Sequence, residues 1–182
     1  DWKLAFQHGV RQDVDRVKGA DQWKQVDVLN IYVKGQFKVY ADLLSKYHYS
    51  TVDWLISKIQ RSGDLNRDLF DKISKLRNCC KAFDAWDRFN HNEALKYLGL
   101  VRGEAMSKWI RLAKQLTGII SNADPYLKVT DLIANSERRF AQGRYDDGIA
   151  RLYRALEWLA QIRLRTKYGI DSNDVNLEQV PE

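Results

Sequence analysis

Arg151, Arg154, Trp158, Gln161 and Arg165 recur at intervals of three and four residues. A helix through them gathers three guanidiniums and an indole on one side. Guanidinium groups pair with phosphate oxygens and an indole stacks on an unpaired base, which is how single-stranded nucleic acid is held. The same residues can also satisfy one another. Arg151 can pair with Asp147 one turn earlier and Arg154 can stack on Trp158 one turn later, the face then packing on another helix or a second subunit. Both readings fit the residues, and Arg144 at the start of the segment joins the candidates. From Glu137 to Lys167 eight Lys/Arg stand against four Asp/Glu, so the segment carries a local excess of four positive charges. Glu157, beside Arg154, reads as a salt-bridge partner and not as a general acid.

A second cluster, "AWDRFNHNEA", brings Arg88, Phe89 and His91 to one turn. An imidazole beside an acid and a base can shuttle a proton; equally it can cap or pack a turn. His8 and His48 have no partner pattern, and three scattered histidines give no metal spacing. Cys79 and Cys80 are adjacent, which suits neither a zinc site nor a stapling disulfide, and reads as two reduced thiols in a cytoplasmic protein. No glycine loop that cradles phosphate and no nucleophile elbow is present. The residues therefore assign no catalytic group, no metal and no cofactor to this chain.

Helices must position these groups. With two prolines, ten glycines and apolar residues at three- and four-residue spacing, the pattern predicts an all-α fold, a bundle of stacked helical hairpins. Helices are expected near 2–18, 23–47, 51–61, 65–88, 91–99, 103–121, 125–141 and 145–168. Ser50 with Asp53 reads as a capping box, Asn90 with Glu93 offers the same geometry, Asp124-Pro125 suits a helix start, and Gly169 suits a left-handed stop. Tyr145, Ile149, Leu152, Leu156 and Leu159 follow a helical period and are expected to face the core. An internal echo joins "RFNHNEALKYL" from Arg88 to "RYDDGIARLYR" from Arg144, with a looser copy from Lys46. In it Phe89 and Tyr145 plug hairpin corners, while Ala94, Ala150 and Val52 let helices approach and Tyr153 follows three residues after Ala150. The copies lie 42 and 56 residues apart, irregular for a solenoid.

The chain of 182 residues, 45% hydrophobic and 30% charged, reads as a soluble globular protein, with no apolar run long enough to cross a membrane. A net charge of +6 is a weak pointer to an acidic partner. The chain starts at Asp1 and its single methionine is Met106, so it is expected to be a piece of a larger polypeptide.

Two blocks, "AWDRFNHNEAL" and "NSERRFAQGRYDDGIARLYRALEWLAQIRLRTKYGID", resemble the helical C-terminal part of CRISPR-associated proteins of type III systems that join a CARF sensor to a HEPN ribonuclease. The resemblance is dense over residues 83–98 and 135–174. It implies a helical linker-type domain over 1–122 and the start of a HEPN-like domain over 123–182. It also implies an antiviral-defence endoribonuclease activated by cyclic oligoadenylate, dimeric, cleaving RNA without metal through an R-x4-6-H motif. No strand-rich sensor precedes Asp1 and no arginine in the chain is followed by histidine at that spacing. Sensor, cyclic oligoadenylate and catalytic motif are accordingly expected outside this chain, and no catalytic residue is carried over. The resemblance makes Arg144, Arg151, Arg154, Trp158 and Arg165 candidates for an RNA cleft or a homodimer interface. Arg88, Phe89, His91, Tyr145 and Tyr153 become structural residues of the corners. Two other readings remain: a tetratricopeptide-like adaptor for protein partners, and an RNA-binding helical domain without enzymatic descent.

Overall fold

The computed structural model describes residues 4–8, 11–12, 15–16, 22–26, 28–62, 65–101, 103–121, 124–172 and 174. From Val28 onward its regular elements are α1 (Val28–Ser45), α2 (Tyr49–Ser62), α3 (Arg67–Asp87), α4 (His91–Leu100), α5 (Ser107–Leu116), α6 (Leu127–Ala141) and α7 (Tyr145–Arg163). A 3₁₀ turn, Glu104–Met106, leads into α5, and a π-helical turn, Leu164–Tyr168, ends α7 at Gly169 in the left-handed region with φ 69°. Helices α1 to α5 each pack on the next and α6 packs on α7, which is the all-α stack of hairpins that the apolar spacing predicts.

The first expected helix is not formed. Strand β1 (Leu4–His8) pairs antiparallel with β4 (Gln22–Val26), Leu4 opposite Val26, and the short β2 (Arg11–Gln12) and β3 (Asp15–Arg16) pair between them. The residues carry the reason: within Leu4–His8, Leu4 and Phe6 alternate with Ala5 and Gln7, the period of a strand. The second expected helix starts at Val28 instead of 23, since Gln22–Val26 is the strand that pairs with β1.

Three corners share one construction. Tyr47, Phe89 and Gly143 stand in the left-handed region at φ 59°, 59° and 73°. The next residue in each case donates its N–H to a carbonyl five positions back: His48 to Leu43, Asn90 to Ala85 and Arg144 to Arg139, at 3.0, 2.9 and 2.9 Å. This is the Schellman closure, and two of the three sites accept an aromatic residue where glycine is the unstrained choice. The repeat is real but its third copy is shifted by two residues. Gly143, and not Tyr145, is the counterpart of Phe89; three positions into the following helix stand Val52, Ala94 and Gly148, all buried, so Gly148 replaces Ala150 as the small residue. A Cβ on Gly148 would lie 2.5 Å from the Phe140 ring, which sets how closely α7 lies on α6.

Local caps decide the remaining boundaries. Asn90 caps α4 as expected by accepting from the Glu93 N–H at 3.1 Å, but the Glu93 carboxylate takes the Asn90 side-chain amide at 2.8 Å, because the Asn90 main-chain N–H already donates to Ala85. The Ser50 box does not form, because α2 already begins at Tyr49 and Asp53 binds Arg77 of α3 at 2.8 Å. Asp124 accepts from the Tyr126 N–H at 2.9 Å, one turn ahead of α6 and not at its first residue. The core falls into three clusters: Val33, Val52, Ile56 and Ile73 under α1–α3; Trp86, Ala94, Leu98 and Ala113 under α3–α5; and Val129, Leu132 and Ala155 between α6 and α7. Phe89 closes the third cluster from the α3–α4 corner.

Candidate functional site

Two polar joints hold the α6–α7 hairpin against the corner between α3 and α4. In the first, Asp87 ends α3 fully buried; its carboxylate accepts from Arg138 Nε at 2.6 Å. Its main-chain carbonyl accepts from Arg139 at 2.8 Å and from Asn135 at 3.2 Å. Burial pushes the Asp87 carboxyl above its ordinary value, outweighing Arg138, Arg139 and Arg151, which pull it down. Buried Arg139 is held below the usual arginine range by desolvation, against the pull of Asp87. In the second joint, Asp131 of α6 accepts from Trp86 Nε1 at 2.8 Å and pairs with His91 Nε2 at 3.0 Å. The His91 ring lies edge-on to Trp86 and Phe89, with centroids 5.2 and 5.9 Å apart.

His91 and Asp131 form one wall of a cleft of about 720 Å³ whose other side is α7, with Arg151, Arg154 and Trp158, and whose rim carries Lys128. Trp158 and Lys128 also line a neighbouring cleft of about 500 Å³ that continues past Gln161 to Arg165. The five-residue stripe read from the sequence therefore lies along a groove made of two adjoining clefts that share Leu116, Lys128 and Trp158. Arg151 sits over the Phe89 ring at 4.9 Å and Arg154 over the Trp158 ring at 5.1 Å. Desolvation lowers the Arg151 guanidinium from its ordinary value, Arg139 adds to that, and Asp147 opposes it.

Several placements differ from the sequence reading. Asp147 pairs with Arg144, not with Arg151, which turns to Phe89 instead. Arg154 meets both expected partners, Glu157 at 2.6 Å and Trp158. Arg165 binds Asp171 at 2.5 Å, and Arg88 binds Asp84 at 3.0 Å with Glu93 at 3.7 Å. The apolar row of α7 does not face the core: Tyr145, Leu156 and Ile149 are 64%, 62% and 47% exposed, and Tyr153 is 70% exposed. Neither Tyr145 nor Tyr153 plugs a corner. The inward face is Gly148, Arg151, Ala155, Trp158 and Ile162, because small residues permit the closest approach of α6. The sequence does not single out Asp131, Lys128, Asp87 or Arg138; their neighbours in the joints and the groove come from distant parts of the chain, and only the fold brings them together.

Among the described residues no group of three His, Cys, Asp or Glu is placed to hold a metal ion. No helix among them is long and apolar enough to cross a membrane. Burial pushes the Cys80 thiol up to about 12 and raises that of Cys79, so both are poor nucleophiles.

Residues 120–182, which include α6 and α7, match the family model described as the Csm6 HEPN domain. The match supports a CRISPR-associated HEPN ribonuclease family and a HEPN-type ribonuclease region in this chain. Comparison with curated proteins and with solved structures returns no match.

Proposed function

From that family likeness, we propose that the chain is the helical portion of a CRISPR-associated antiviral-defence protein, a metal-independent endoribonuclease activated by cyclic oligoadenylate. In this reading residues 1–122 are a helical linker-type domain and residues 123–182 begin the HEPN-like domain. The R-x4-6-H motif and the sensor belong to other parts of the parent protein. The single supporting observation is the family match over 120–182. The α6–α7 hairpin acts as a frame, held to α3 and α4 by Asp87–Arg138 and His91–Asp131.

Dimerisation belongs to the same proposal. Tyr145, Ile149, Tyr153 and Leu156 form an exposed apolar row on α7, the composition of a subunit contact and not of a phosphate site. The protein is placed in the cytoplasm, with RNA as its substrate.

The test is cleavage of single-stranded RNA by the full-length protein in excess EDTA, with and without cyclic oligoadenylate. Cleavage that survives EDTA and rises with the activator supports the reading. Cleavage that requires metal, or none under any condition, contradicts it. Robust cleavage by the 182-residue chain alone, abolished by His91→Ala, would place the chemistry in this chain instead. The adaptor reading rests on the three matching hairpin corners. It predicts a further hairpin after Glu182 in place of an R-x4-6-H segment.

A further inference from the structure

The groove on α7 has features that a frame alone does not need. Its first cleft converges three cations, Lys128, Arg151 and Arg154, from two helices. Asp131 is engaged by Trp86 and His91 and Glu157 by Arg154, while Asp147 lies beside Arg144 and also offsets part of the Arg151 charge. Lys128 is exposed and forms no ion pair among the described residues. Arg151 Nε is buried with no hydrogen-bond partner among them. An anion is the complement of such a cleft.

Ring geometry narrows the anion. Arg151 and Arg154 each lie on an aromatic ring, so the outer N–H groups of Arg151 and those that Arg154 does not give to Glu157 remain for phosphate oxygens, and the outer guanidinium face stays flat. Unpaired bases stack on guanidinium planes as well as on aromatic rings. The volume of about 720 Å³ lies within the range of small-ligand sites. Beyond Trp158, however, the groove runs on to Arg165. Arg151 to Arg165 spans roughly 20 Å of helix at ~1.5 Å per residue, more than one nucleotide needs.

We propose that this groove is an exosite for a single RNA strand: Lys128, Arg151 and Arg154 hold successive phosphodiesters, and one base lies on the Arg154 guanidinium that Trp158 backs. The exosite deepens the ribonuclease reading by naming where substrate is held away from the catalytic motif, and it rests on that reading for the identity of the strand as substrate. The His91–Asp131 pair is the rigid far wall that keeps the cleft open. The apolar row on the outward side of α7 remains free for protein contact, so both surfaces can be occupied together.

The test is fluorescence anisotropy of a labelled single-stranded RNA octamer titrated with the chain, across a series of salt concentrations. Three phosphate contacts predict a slope of log K against log salt of roughly −2, at about −0.7 per contact for single strands. Lys128→Glu and Arg154→Glu change exposed residues and should each weaken binding about tenfold or more. Lys58→Glu, the same charge change on α2, should leave it unaltered, and thermal melts confirm that each variant is folded. Equal weakening by Lys58→Glu, or none by Lys128→Glu and Arg154→Glu, overturns the exosite. So does inorganic phosphate or adenosine 5′-monophosphate binding as tightly as the octamer, which marks a small-nucleotide pocket. Tighter binding of an acidic peptide than of RNA overturns it in favour of a protein partner. Cleavage by the full-length protein without octamer binding sinks the exosite and leaves the ribonuclease reading standing; octamer binding without cleavage does the reverse.

Discussion

Replacing Asp87 with alanine is the most direct attack on the joint between α3 and α6. The substitution removes the carboxylate that accepts from Arg138 Nε at 2.6 Å, in a pocket where Asp87 is 3% exposed and Arg139 5%. It leaves the main-chain carbonyl, so the bonds from Arg139 and Asn135 can persist. The penalty is therefore that of a mostly covered cation, the Arg138 side chain at 17% exposure, losing its counter-charge, about 3 kcal/mol, the lower end of the range for breaking a buried pair. Burial already opposes ionisation of Asp87, so the loss comes from the stranded arginine and not from a surrendered attraction. For a chain of this size the change lowers Tm by roughly 6–12 °C. Asp87→Asn keeps an acceptor for Arg138 and should lose less. Urea unfolding followed by circular dichroism gives the free energies, and Arg138→Met completes a double-mutant cycle. The cycle should show a coupling of at least about 1 kcal/mol, with the double variant losing less than the sum of the singles. A loss below about 1 kcal/mol for Asp87→Ala, or strict additivity with Arg138→Met, would refute the idea that this pair joins the two halves.

Tyr47→Gly should be neutral or stabilising by up to about 1 kcal/mol, since it relieves a left-handed tyrosine. Phe89→Gly relieves the same strain but removes the ring under Arg151 and beside His91, so denaturation curves should show a net loss. Gly148→Val places a branched side chain against the Phe140 ring and should destabilise by about 2 kcal/mol, read by the same unfolding assay. Native Cys80, with its thiol pushed up to about 12, should resist maleimide at pH 7 until urea exposes it. The raised folded value means that the folded state keeps its proton where the unfolded chain loses it. Stability from this thiol is thus complete below about pH 9 and is lost as pH rises toward 12, a decline that Cys80→Ala should reduce in pH-dependent melts.

What the sequence discloses about this molecule is what short-range chemistry controls. Asn90 and Glu93 are three residues apart and Asn90 caps α4 as read; Gly169 stops a helix as read; the Arg154–Glu157 and Arg154–Trp158 contacts are within one turn. The corner repeat is legible in kind, though its third register slips because Tyr145 resembles Phe89 while Gly143 does its work. The face of α7 is misread because large apolar residues are taken as core. In the fold Gly148 and Ala155, with Trp158 and Ile162, form the contact with α6, while Tyr145, Ile149, Tyr153 and Leu156 stay outside. The N-terminal strands escape notice for a simpler reason: the alternation of Leu4 and Phe6 with Ala5 and Gln7 is short, and the helical period of the rest of the chain masks it. His91–Asp131, 40 residues apart, and Asp87–Arg138, 51 apart, carry no local signal; they exist only once α6 lies across the α3–α4 corner.

The groove's role is tested most directly by photocrosslinking an RNA octamer containing 4-thiouridine to the protein and mapping the attachment by mass spectrometry. The account predicts crosslinks in peptides carrying Trp158 and Phe89, reduced by Lys128→Glu. Crosslinks confined to the outward row at Tyr145 and Tyr153, or unaffected by Lys128→Glu, would contradict it.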